Sequence, residues 1–154
     1  MDEYYWRNIQ ILPKKNLNWN RNNTAEFSMF HEIPIGLISF VLKQGCKYLN
    51  LSVYGCSPLV GNTRLPRNNL KHLKLNNPFY NANTFAANQN LFLELIMISE
   101  SLTKLGINGA RMNGNLAAAI FQHSATLDTL DLSGCHVGGF FEEVVSNCKQ
   151  LRVG

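Results

Sequence analysis

Along this chain a short pattern, apolar-x-x-apolar-x-apolar, recurs five times, with first positions at Cys46, Leu70, Leu102, Leu127 and Cys148. Consecutive copies start 24, 32, 25 and 21 residues apart, a period that belongs to repeat architectures. Within each copy the last three positions alternate apolar-polar-apolar, the period of a half-buried strand. Eleven residues upstream of four copies, at Ile35, Leu91, Leu116 and Val137, an apolar stretch opens in which hydrophobic side chains return at three- and four-residue steps. That spacing predicts helices with one buried face. The unit is therefore helix, turn, strand. Upstream of Leu70 the corresponding segment, 59–69, contains Gly61, Pro66 and the pair Asn68-Asn69, which predict an irregular connection in place of a helix. A weaker sixth copy is read at Trp6 to Ile11.

One helix-strand unit cannot bury its apolar side alone, so the units must stack, and three or more are required for stability. The expected fold class is α/β, a solenoid with a curved parallel sheet on its concave side and helices on its convex side. Residues 33–154 carry the repeats, and 1–32 form an irregular or degenerate N-terminal repeat. The second, third, fifth and seventh motif positions face outward from the sheet. The candidate binding surface is thus Tyr48, Asn50, Ser52, His72, Lys74, Asn76, Lys104, Asn108, Thr129, Asp131 and Ser133. A broad, rigid face of this kind suits partner binding, because little conformational freedom is lost on association.

The copy Leu130-Asp131-Leu132-Ser133-Gly134-Cys135, followed by a helical stretch and Asn147-Cys148-Lys149-Gln150-Leu151, resembles a leucine-rich repeat of the cysteine-containing subclass. In that family the first, fourth and sixth positions point into the core, and a Cys or Asn at the ninth closes the turn, where Cys135 stands. The equivalent positions in other copies are Tyr54, Pro78 and Ala110, with Cys56 displaced by two. The subclass resembles above all the repeat region of F-box substrate receptors. The resemblance therefore implies the substrate-recognition portion of a cullin-RING (SCF-type) ubiquitin ligase receptor, holding a protein substrate on its concave face. An F-box begins with Leu-Pro and continues as amphipathic helices, and neither Ile11-Leu12-Pro13 nor Glu32-Ile33-Pro34 leads into such a segment. The ligase adaptor would be a partner only through an F-box outside this chain. The alternatives are a stand-alone adaptor or inhibitor and, third, a nucleic-acid-associated module.

Charge gives that third alternative its basis. Residues 1–74 hold ten Lys/Arg against four Asp/Glu, whereas 75–154 hold four against six. Arg64, Arg67, Lys71 and Lys74 make an acid-free basic patch near Tyr48, Tyr54 and Tyr80, a mixture that suits acidic or phosphorylated protein segments. No Gly-rich phosphate loop or aromatic RNA-binding signature accompanies it, so nucleic acid ranks below protein as partner.

Catalysis needs a nucleophile, base and orienter converging in one cleft. Here His31, His72, His123 and His136 are scattered, and Glu142 and Glu143 are adjacent and so point to different sides of a helix. His123 is read as capping the end of its own helix, and His72 as the histidine of the binding face. No enzyme activity, cofactor or metal site is expected. Cys46, Cys56, Cys135 and Cys148 lack zinc-ligand spacing and read as buried thiols. The acidic start, Met1-Asp2-Glu3, is unlike a signal peptide, and the longest apolar run, Leu91 to Ile98, is interrupted by Glu94. A cytoplasmic or nuclear protein without membrane association is expected. The motif opening at Cys148 stops at Val153-Gly154 without a capping unit, which predicts a solenoid truncated at its C-terminus.

Overall fold

The computed structural model describes residues 17–20, 24–30, 33–53, 59–60, 65–76, 92–108, 114–133, 139 and 152–153. The strands are β1 (Leu17–Asn20), β2 (Thr24–Phe30), β3 (Ile33–Pro34), β4 (Tyr48–Val53), β5 (Leu59–Val60), β6 (His72–Asn76), β7 (Lys104–Asn108), β8 (Thr129–Asp131) and β9 (Arg152–Val153). The helices are α1 (Ile35–Lys43), α2 (92–98) and α3 (Gly114–Phe121).

Seven strands form one sheet in the order β1-β2-β4-β6-β7-β8-β9, and β3 pairs with β5 in a second. From β2 onward every neighbour in the large sheet is parallel, while β1 runs antiparallel to β2. Parallel neighbours need a crossover, and α1, α2 and α3 lie within those connections. The fold is α/β, a parallel sheet with helices.

Register follows from the apolar ladder. Leu49 stands opposite Leu73, Leu73 opposite Leu105, and Leu105 opposite Leu130. The next inward row runs Leu51, Leu75, Ile107. All of these are at most 4% exposed, as are Leu70, Leu102 and Leu127 at the first motif position. Slipping any strand by one residue would turn its leucines to the opposite face, so burial fixes the pairing. Against this ladder pack Ile38, Phe40 and Val41 of α1, Phe92, Leu95 and Ile96 of α2, and Leu116 and Ile120 of α3.

The connections hold their own register through a repeated backbone bond. The carbonyl of Lys47 accepts from the amides of Lys71 and His72, that of Lys71 from Thr103 and Lys104, and that of Thr103 from Asp128 and Thr129. β6, β7 and β8 are thus each tied at their entry to the strand before. At the end of α1, Gly45 takes φ 88°, and the amides of Gly45 and Cys46 bond the carbonyls of Leu42 and Val41. This is the glycine-terminated helix end that leads the chain straight into β4.

Between β4 and β6 residues 65–70 are non-helical, as Pro66 and the Asn pair predict. Asn68 organises this stretch: its Oδ1 accepts from the Leu70 amide, and its Nδ2 donates to the Pro66 carbonyl and to Ser99 Oγ of the next repeat.

Two features depart from the sequence reading. β2 pairs parallel with β4, placing Ala25 opposite Leu49 and Phe27 opposite Leu51, both fully buried. This is a motif copy with first position Asn22, 24 residues before Cys46. Ala25 stands where each of the other copies has Leu, which hides it. At the other end β9 pairs Arg152 with Thr129 and Val153 with Leu130, whereas the motif opening at Cys148 sets Leu151 opposite Leu130. The slip is two residues, which keeps the side-chain parity of the strand and so escapes a pattern based on alternation. The possible copy at residues 6–11, the helix expected at 137–147 apart from Gly139, which lies in a turn, and Cys56, Cys135 and Cys148 lie outside the described residues.

Candidate functional site

Because inward positions of the large sheet are filled by leucines, the alternate positions emerge together on the other face. Along β6 the burial alternates between half-buried His72, Lys74 and Asn76 and buried Leu73 and Leu75. Backbone register lines up three rows across the strands. The first is Thr24, Tyr48, His72, Lys104, Thr129; the second Glu26, Asn50, Lys74, Gly106, Asp131; the third Ser52, Asn76, Asn108. Ser133 follows just after β8 and is exposed.

Local interactions set the posture of these side chains. The Tyr48 and His72 rings meet edge to face, their centroids 4.6 Å apart and their planes at 75°, an arrangement favoured by the ring quadrupoles. Asn76 Nδ2 donates to Asn50 Oδ1 at 2.8 Å and to Ser52 Oγ at 3.1 Å, clasping β4 to β6. The Asp131 carboxylate accepts from the Ser133 amide at 2.9 Å and from its hydroxyl. Gly106 contributes no side chain to the second row. A Cβ there would lie 3.5 Å from Lys74 Cγ and 3.9 Å from Asp131 Cβ, so these two flank the strand from either side.

Charge divides the face. Partial burial, then the nearby charges of Lys104 and Lys74, hold the His72 pKa below the ordinary histidine value. The unfolded chain thus binds a proton there more readily than the folded one, so the stability His72 contributes is present above its ordinary pKa and is lost as pH falls below it. Tyr48 is shifted upward by burial and by Glu26, against a hydrogen bond with Asn50. Asp131 is held below the usual carboxylate range chiefly by the Ser133 hydroxyl and amide, with a smaller contribution from Lys74. From β2 to β8 the face therefore runs acidic, aromatic and amide, basic, then acidic.

The expected basic patch divides differently. Lys74 joins His72 and Lys104 on the strands, Arg67 and Lys71 are exposed in the segment that enters β6, and Arg64 lies outside the described residues. Glu26 is missed by the sequence reading because β2 is hidden, and Gly106 because an outward position without a side chain carries no chemistry of its own.

His123 also differs from expectation. It is 4% exposed, and its Nε2 lies 2.6 Å from the carbonyl of Ile96, in the last turn of α2. It caps the helix of the preceding repeat instead of its own. No local sequence signal marks a contact between residues 27 positions apart.

Cys46 occupies the first motif position, fully buried, with its thiol donating to the Tyr48 carbonyl at 3.1 Å. Burial pushes its pKa up to about 11. The thiolate is the nucleophile, so Cys46 should resist iodoacetamide at pH 8.5 in the folded protein and react once urea unfolds it. Modification of Cys46 at the rate of a free thiol without unfolding would contradict the burial. Since the folded pKa exceeds the unfolded one, Cys46 removes stability only as pH rises above about 9. Among the described residues no three His, Cys, Asp or Glu side chains gather to hold a metal ion, and no helix is long and apolar enough to cross a membrane.

Comparison with known proteins gives one curated relative. Over 52 residues, 34% of this chain, the sequence is 40% identical to a probable leucine-rich-repeat receptor-like serine/threonine-protein kinase of Arabidopsis thaliana. The match and the parallel sheet fit a leucine-rich repeat. The matched stretch spans 5% of that kinase's length. No family model and no solved structure matches the chain.

Proposed function

We propose that this chain is a non-catalytic protein-binding scaffold whose strand face receives a protein partner. The observation that carries the reading is the in-register array of polar, aromatic and charged side chains backed by a closed leucine ladder. Such a surface presents many preplaced groups at little ordering cost. On the resemblance of 130–135 to the cysteine-containing repeats, and with Cys46 buried at a first strand position, the finer proposal is the substrate-recognition portion of a cullin-RING ubiquitin ligase receptor. It would act in the cytoplasm or nucleus, with the ligase adaptor engaged through an F-box outside this chain. A stand-alone adaptor or inhibitor is the alternative on the same residues.

The test is site-specific photo-crosslinking in cells. A photoreactive residue at Ser52 or Asn108 should capture one discrete protein, and the same group at exposed Lys43 on α1 should not. Equal capture from both faces would overturn the binding-face proposal. Expression of the full-length gene product should shorten the half-life of the captured protein if the ligase reading holds, and an unchanged half-life would leave the adaptor.

A further inference from the structure

The second row of the strand face carries an ordered charge sequence: Glu26 on β2, Asn50 on β4, Lys74 on β6, Gly106 on β7 and Asp131 on β8. Glu26 and Asp131 are exposed and Lys74 is half-buried. Each acid stands two strands from Lys74, a distance of roughly 10 Å at ordinary strand spacing. Beside Lys74 in the first row are His72 and Lys104, whose positive field reaches the imidazole. The centre of the face is therefore basic and its two borders acidic.

Resting on the protein-binding proposal above, the geometry points to a partner segment that crosses the strands as a polyproline-II extended chain, with one Asp or Glu set over Lys74 and a Lys or Arg three residues to either side. The spacing follows from the chain itself. A polyproline-II peptide advances roughly 3.1 Å per residue and has three residues per turn, so side chains three apart return to the same side and span the roughly 10 Å between Lys74 and each bordering acid. Complementarity of this kind fixes register and rejects wrong partners as much as it adds affinity. Gly106 belongs to the same device. With no side chain rising from β7, the stems of Lys74 and Asp131 close over buried Gly106, so no third side chain separates the central cation from the acidic border. The acidic borders also select against a continuous polyanion. A nucleic-acid strand that placed a phosphate on Lys74 would carry neighbouring phosphates toward Glu26 and Asp131, where like charges repel.

The experiment uses the 154-residue chain and two labelled heptapeptides of the same composition class, Lys-Ser-Thr-Glu-Ser-Thr-Lys and its charge inverse Glu-Ser-Thr-Lys-Ser-Thr-Glu, with binding read by fluorescence anisotropy and by amide shifts. The first peptide should bind about tenfold more tightly than the second, as three exposed charge pairs of ordinary strength would give. Lys74→Gln should remove most of that preference, and Glu26→Gln and Asp131→Asn a smaller part each. Equal binding of both peptides with shifts on the strand face would overturn the charge register while leaving the protein-binding proposal standing. Shifts confined to residues off that face would count against both. Tighter binding of oligothymidine, or of a peptide with phosphoserine in place of the central Glu, would overturn the assignment in favour of a polyanion or a phosphorylated partner, and failure of the first heptapeptide to bind would overturn it as well.

Discussion

Leu73→Ala should lower the free energy of unfolding by about 3 kcal/mol, the usual cost of emptying a leucine site in a closed core. Leu73 is fully buried, sits opposite Leu49 on one side and Leu105 on the other, and has Leu75 two residues on in the same layer. A cavity there removes contacts from two repeats at once, and both neighbours are held by their own strands, so collapse into the gap is limited. Urea denaturation followed by far-UV circular dichroism measures it. Lys71→Ala, exposed on the entry to the same strand, is the control and should change stability by less than about 0.5 kcal/mol. Equal midpoints for the two variants would mean that the leucine ladder is not what holds the sheet.

His123→Ala should cost about 2 to 3 kcal/mol by a different route. The substitution leaves the Ile96 carbonyl without the imidazole it meets at 2.6 Å and opens a void beneath α3. In stacked repeats, stability is the sum of each unit and its interfaces, so weakening one interface lowers cooperativity as well as total stability. The expected signature is a shallower urea transition than that of Leu73→Ala, together with faster hydrogen exchange at Ser99 and Leu102, whose amides close the turn after α2. His123→Gln, which keeps a donor, should recover part of the loss. A variant as steep and as stable as the parent would assign the histidine no role between repeats.

Much of this molecule can be read from its leucines. Copies opening at Cys46, Leu70, Leu102 and Leu127 are in the register that aligning their motifs predicts, because at each of them large hydrophobes must fall on one side of the sheet. Where that constraint weakens, legibility fails. β2 buries Ala25 where a leucine would announce a strand, and the backbone pairing of β9 is offset by two residues, a shift to which a period-two pattern is blind. Of the binding face, the outward residues on β4, β6, β7 and β8 follow from parity alone. Glu26 needed a strand that the pattern conceals, and His123 acts on a carbonyl 27 residues away, a contact that only folding brings about.

The recurring bond from one strand entry to the next has a consequence for how this chain can change. Units of 24 and 32 residues stand side by side, one with a helix and one with the Asn68 turn, and yet the strands they feed keep step. Spacing on the strand face is set by the width of a hydrogen bond, not by the length of chain behind it. Insertions and deletions on the rear of the molecule are thereby insulated from the arrangement of side chains in front, so the back can lengthen or shorten over generations while the pattern presented to a partner stays in tune.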